Sequence, residues 1–66
     1  MRLKVDKEND ALYLRIDEAN IAESEEVEPG IILDFNKMGS VVGVEFLQLS
    51  KRGSLQDISQ FHYETV

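Results

Sequence analysis

Apolar residues recur at every second position in several stretches of this chain, a spacing that suits half-buried strands and not amphipathic helices. Leu3 and Val5 alternate with Arg2, Lys4 and Asp6. Leu12, Leu14 and Ile16 alternate with Ala11, Tyr13 and Arg15. Between these runs, Asp6-Lys7-Glu8-Asn9-Asp10 is polar and turn-forming, because Asp and Asn side chains bond nearby backbone amides. The two runs therefore read as a hairpin. Asp17 to Asn20 is a second break, and Ile21 to Val27 is a weaker strand rich in Glu. A strand that acidic suits a sheet edge, where charge blocks unwanted pairing. Pro29-Gly30 forces the next turn. The strongest hairpin follows, Ile31 to Phe35 and Val41 to Leu47 around the loop Asn36-Lys37-Met38-Gly39.

The register of that hairpin matters, since a one-residue slip turns every side chain to the other face. A three-residue loop scatters apolar residues over both faces. A four-residue loop pairs Leu33 with Val42 and Ile31 with Val44. It collects Ile31, Leu33, Phe35, Val42, Val44 and Phe46 on one face, which is the expected buried face, joined by Leu12, Leu14 and Ile16. The opposite face is mixed, with Ile32, Val41, Leu47 and Leu49 beside Asp34, Gly43 and Glu45. A second subunit or a covering helix would bury such a surface. Gly43 inside a strand marks a bulge or a close backbone approach. Beyond the break at Lys51-Arg52-Gly53, Ser54 can cap a helix, and Leu55, Ile58 and Phe61 fall at helical spacing. Two readings stay open for residues 53–66: a short helix packed on the sheet, or a frayed tail. The expected fold is mainly β (small α+β). Residues 1–52 form an antiparallel sheet of about five short strands built from hairpins, and 53–66 form a C-terminal segment.

A sheet of this size needs help to stay folded. A core in 66 residues rarely leaves a margin above roughly 3–5 kcal/mol. There is no cysteine and only one histidine, so disulfides, thiolate zinc sites and imidazole clusters within one chain are excluded. Self-association is the remaining common device, and a homodimer is expected. No stretch approaches the ~20 apolar residues of a membrane span, and no apolar run of signal-peptide length follows Met1. A cytoplasmic protein is the simplest reading.

The net charge of −6 is concentrated in one place. Asp17, Glu18, Glu23, Glu25, Glu26 and Glu28 lie in a stretch without Lys or Arg, and the other seven acids match the seven bases. Nucleic acid is an unsuitable partner, because phosphate binding needs Lys and Arg to displace counterions. A basic protein partner fits Glu23, Glu25, Glu26 and Glu28; the plainer reading is a solvated edge that keeps the chain soluble.

No phosphate-binding Gly loop, zinc spacing or nucleophile elbow is present. Asp6, Glu8 and Asp10 alternate as calcium ligands can, but the glycine and the twelfth-position acid of an EF-hand loop are missing, and turn formation explains them better. Asp34 and Glu45 share a sheet face, with Tyr13 and Arg15 near them if the hairpins are adjacent. Such a group can bind a small ligand or do acid–base work; more often it is a salt-bridged patch at an interface rim. No enzyme activity, cofactor or metal is expected.

The segments Asp10-Ala11-Leu12-Tyr13-Leu14, Glu23-Ser24-Glu25-Glu26, Pro29-Gly30-Ile31-Ile32-Leu33-Asp34-Phe35, Gly39 and Val42-Gly43-Val44-Glu45-Phe46-Leu47 carry a resemblance. In spacing and order they resemble the small prokaryotic domain of unknown function numbered 2283, from near Lys4 to Arg52. Phe35 and Asn36 stand where that family often has Tyr and Asp, which weakens any carboxylate role at position 36. The resemblance implies a compact β-rich prokaryotic domain without an established activity. Because some members are encoded beside a small toxin-like protein, it also implies an antitoxin-like partner of a basic toxin. Two functions are carried forward. One is a homodimeric protein-binding module. The other is a dimeric small-molecule binder whose inter-subunit cleft is lined by Tyr13, Arg15, Asp34 and Glu45.

Overall fold

The computed structural model describes residues 1–53 and 60–66. Its five strands are β1 (Arg2–Asp6), β2 (Ala11–Arg15), β3 (Glu23–Glu28), β4 (Ile31–Phe35) and β5 (Val41–Phe46). They form one antiparallel sheet in the order β1-β2-β5-β4-β3. Strands β3, β4 and β5 follow one another through tight turns, and β5 returns to lie beside β2. That is a Greek key, closed by the long connection 16–22 from β2 to the far edge. A helix from Ser54 onward falls on residues 54–59, outside the described ones. No helix among the described residues is long and apolar enough to cross a membrane.

Local chemistry explains the turns. Asp6 accepts hydrogen bonds from the backbone and side-chain nitrogens of Asn9 (3.0 and 2.8 Å), which bends the chain between β1 and β2. These bonds hold the Asp6 carboxyl below its ordinary range. Asp10 adopts a left-handed conformation (φ 54°), which Asp tolerates better than most residues. Its carboxylate accepts from the Ser50 backbone N–H and hydroxyl, tying the 3-10 turn Leu49–Lys51 to the first hairpin. Gly30 (φ 83°) occupies the left-handed position after Pro29. The Arg52 guanidinium donates to the Pro29 carbonyl at 2.7 Å and closes that end of the sheet.

The β4–β5 register differs from the expected one. Leu33 pairs with Val44 and Ile31 with Phe46, two residues from the expected partners. The loop spans residues 36–40. Asn36 N–H donates to Ser40 O (3.0 Å), and the Asn36 side chain accepts from the backbone N–H groups of Met38 and Ser40. The register also shifts between Asp34 and Phe35, leaving Val42 as an extra residue opposite Phe35. Away from this bulge the displacement is even, so Ile31, Leu33, Val44 and Phe46 still share a face. Lateral rows run across the whole sheet: Leu3, Leu14, Val44, Leu33 and Glu25 on one face, and Arg2, Arg15, Gly43, Asp34 and Ser24 on the other.

The expected burial of the apolar face requires correction. Among its residues Val42 is buried (2% exposed), but Leu12, Leu14, Ile31, Leu33, Phe35, Val44 and Phe46 are only half-buried. Ile16 is exposed, where the chain leaves β2 and both Ile16 and Asp17 donate backbone N–H groups to Val42 O. The cause is architectural, because no second layer covers this face among the described residues. The only buried apolar residues described are Ala11 and Val42. The radius of gyration is 12.8 Å, against about 10.8 Å for a compact chain of this length.

Candidate functional site

The polar face carries the tightest side-chain arrangement. Along the row Arg15, Gly43 and Asp34, the central residue has no side chain, and Tyr13 from the adjacent row leans into the space. A Cβ at Gly43 would lie 2.5 Å from the Tyr13 hydroxyl and 2.9 Å from Asp34 Oδ2. Glycine is therefore required for Tyr13 to cross β5. Tyr13 donates to Asp34 Oδ2 at 2.6 Å, Ser24 donates to Oδ1 at 2.6 Å, and Arg15 Nη1 donates to the Tyr13 hydroxyl at 3.1 Å. The same guanidinium donates through Nε to the Asp17 carbonyl at 2.6 Å and through Nη2 to the Ala19 carbonyl. Arg15 and Asp34 are 9% and 8% exposed.

This network joins three strands, β2, β4 and β3, across the glycine of β5, and ties in the Greek-key connection. Arg15 ends β2 and grips residues 17 and 19 of the crossing segment; Asp34 on β4 receives one hydroxyl from β2 and one from the edge strand β3. Every buried side-chain nitrogen and oxygen among the described residues has a hydrogen-bond partner. Burying a polar group unpaired costs free energy, so a closed network of this kind is stabilising where a partial one would not be.

Burial and the hydrogen bond to Asp34 push the Tyr13 phenol above its ordinary value of 10.0. The hydrogen bond to Tyr13 raises Arg15 further above its ordinary range. For Tyr13 the folded state prefers the neutral phenol. Its contribution to stability is complete below about pH 10 and is lost as the pH rises through the higher folded value. In a Tyr63→Phe chain, which leaves Tyr13 as the sole tyrosine, phenolate absorbance is expected to rise later than that of free tyrosine. Unfolding by urea at rising pH should show stability falling in the same window, and Tyr13→Phe should flatten the fall. A phenolate that forms at or below the ordinary value would show that the hydroxyl is not held by Asp34.

Of the four residues expected to line a cleft, Tyr13, Arg15 and Asp34 are brought into one hydrogen-bonded group. Glu45 stands opposite Tyr13 in the register, half-buried, with no hydrogen bond to the group among the described residues. Sequence reasoning missed Ser24 and the carbonyls of Asp17 and Ala19. Gly43 was the available signal, a strand glycine of the same facial parity as Asp34, with Tyr13 and Arg15 one strand away. The acidic residues Glu23, Glu25, Glu26 and Glu28 are all exposed on β3, which is an edge strand as its composition predicts. An open hollow of ≈ 380 Å³ lies beside that edge, lined by Ala22, Glu23, Glu25, Phe35, Asn36, Lys37 and Gly39. No three His, Asp or Glu residues among the described ones are grouped to hold a metal ion.

No curated protein and no solved structure matches the chain. One family model does, described as a protein of unknown function (DUF2283), over residues 2–50. That span takes in all five strands, the polar network and the first two residues of the 3-10 turn, and it stops before residues 53–66. By a match that covers most of its length, the chain belongs to the DUF2283 family.

Proposed function

We propose that this protein is a homodimeric protein-binding module, in which a second copy covers the apolar face of the sheet and the acidic edge strand β3 is left for a basic partner. The uncovered apolar face carries this reading. Leu3, Val5, Leu12, Leu14, Ile31, Leu33, Phe35, Val44 and Phe46 share it, and each is half-buried or exposed. The accessible surface is 5285 Å², about 1,000 Å² above the roughly 4,200 Å² expected of a folded monomer of this mass. The open face and the exposed residues 60–66 both contribute to that excess. A standard interface buries about 800 Å² per partner, and burying a large aliphatic side chain contributes roughly 1.5–3 kcal/mol.

The proposed interface lies on the face opposite the mixed one bearing Ile32, Val41, Leu47 and Leu49, which, with the C-terminal segment, is where the sequence alone points for a dimer contact. The face bearing Ile32 and Val41 also carries the Arg15–Tyr13–Asp34–Ser24 network, which is a poor contact surface because its donors are already engaged. The same closure weighs against the small-molecule cleft and against catalysis. A ligand there would have to displace satisfied hydrogen bonds. The charge of β3 supports a basic protein, such as a basic toxin, as the further partner, one whose association slows as salt is added.

Light scattering after gel filtration at micromolar concentration tests the dimer. A mass of twice the 7.5 kDa chain is expected. Leu33→Asp, at the centre of the apolar face, should return the chain to a monomer. A native chain that elutes at 7.5 kDa overturns the reading.

A further inference from the structure

The distribution of charge on the apolar face also fixes how two copies can meet, if the homodimer just proposed forms. Four adjacent strands, β1, β2, β5 and β4, present only apolar side chains there: Leu3 and Val5, Leu12 and Leu14, Val44 and Phe46, and Ile31, Leu33 and Phe35. The fifth strand, β3, presents Glu23 and Glu25, paired in register with Phe35 and Leu33. The face is therefore an apolar platform with one acidic margin.

Aligned sheets stack about 10 Å apart with their strands nearly parallel. A two-fold axis lying between such sheets runs either across the strands or along them. Run across, it keeps each strand over its own copy, so β3 faces β3 and four carboxylates from Glu23 and Glu25 meet inside the sandwich. Lateral sliding cannot relieve this, because the axis leaves positions across the sheet unchanged. Run along the strands, it reverses the strand order of the partner. The four apolar strands then stack on the four of the partner, β1 over β4 and β2 over β5, and each β3 falls outside the partner's β1.

That second arrangement also leaves the carboxylates at the solvent rim. The bases of β1, Arg2 and Lys4, lie on the other face of the sheet, where Arg2 pairs with Glu18 at 3.1 Å, so the contact-side face of β1 is apolar. Glu25 shares its lateral row with Leu3, so in this stack the carboxylates of one β3 come level with Leu3 just outside the β1 edge of the other copy, where water reaches them. Like charges buried together in the alternative repel, and such repulsion chooses the orientation of an interface more than it changes affinity. We infer that two copies join apolar face to apolar face about a two-fold axis parallel to the strands, with the acidic β3 of each lying along the β1 edge of the other.

The native chain has no cysteine, so thiols can be placed freely. Leu3 and Glu25 are both exposed, and their replacement by cysteine leaves the described interior intact. A Leu3→Cys/Glu25→Cys chain treated with a short bismaleimide is expected to give covalent dimers, while Leu3→Cys alone and Glu25→Cys alone give at least tenfold less. Within one chain the two thiols sit at opposite edges of the sheet, too far apart for the reagent. Efficient cross-linking by either single variant overturns this orientation, since it places β1 on β1 or β3 on β3. A dimer by light scattering that none of the three variants cross-links overturns it as well, and puts the interface elsewhere. A monomer by light scattering instead removes the homodimer on which the inference rests, so the two failures are told apart.

Discussion

Gly43→Ala is expected to destabilise the fold by about 1–3 kcal/mol, the usual cost of forcing an extra group into a filled space. A methyl group here meets the Tyr13 hydroxyl at 2.5 Å and Asp34 Oδ2 at 2.9 Å, and neither is the loose end of a flexible side chain. Relieving the overlap requires Tyr13 to withdraw from Asp34, which adds the loss of a hydrogen bond worth about 1 kcal/mol net. For a domain of this size each kcal/mol lowers Tm by roughly 4–8 °C. The double-mutant cycle identifies the cause. In a Tyr13→Ala background the ring no longer crosses β5, and Gly43→Ala should then cost much less than in the native chain. An unchanged Tm in Gly43→Ala alone would mean that Tyr13 does not lie over this glycine.

Asp34→Ala is expected to cost about 1–3 kcal/mol, because it removes the acceptor shared by two hydroxyls and strands the half-buried one of Tyr13. Tyr13 and Ser24 each lose a 2.6 Å partner; the half-buried phenol is left unsatisfied, whereas the Ser24 hydroxyl on the exposed edge strand can turn to water. Asp34→Asn should fall between, since its amide oxygen can still accept one of the two. Glu45→Ala, one strand away on the same face but outside the network, should stay within about ±0.5 kcal/mol. Urea midpoints for the three variants measure this series. Equal effects of Asp34→Ala and Glu45→Ala would show that the carboxylate of Asp34 is not the organising group.

Period-two alternation makes the strands and their facial parity legible in the sequence. It assigns Ile31, Leu33, Val44 and Phe46 to one face correctly even though the register lies two residues from the expected one, because parity survives an even displacement. It could not reveal the extra residue at Val42 or the closure of the loop through Ser40. Both depend on backbone bonds made by Asn36 and on a bulge that no side-chain pattern marks. Strand order was equally hidden, since alternation records which face a residue occupies and not which strand lies beside it. Burial was misjudged for a related reason. Apolar character marks a face that needs cover but does not say what covers it, and no layer covers it among the described residues. Besides Val42 and Ala11, the buried positions belong to Arg15 and Asp34, where glycine lets side chains converge.

The Greek-key connection has a consequence in chain entropy. Three of the four strand pairings close short turns, but β2 and β5 join residues 12–15 to 43–46. Loop closure costs about 0.6 kcal/mol for each doubling of length, so this seam costs roughly 1.5–2 kcal/mol more to close than any of the hairpins. The hydrogen bond from Tyr13 to Asp34 spans the seam, and Arg15, beside it, clamps the connecting segment. The buried polar cluster thus sits where the topology is entropically weakest, and it offsets a cost that no local turn could carry.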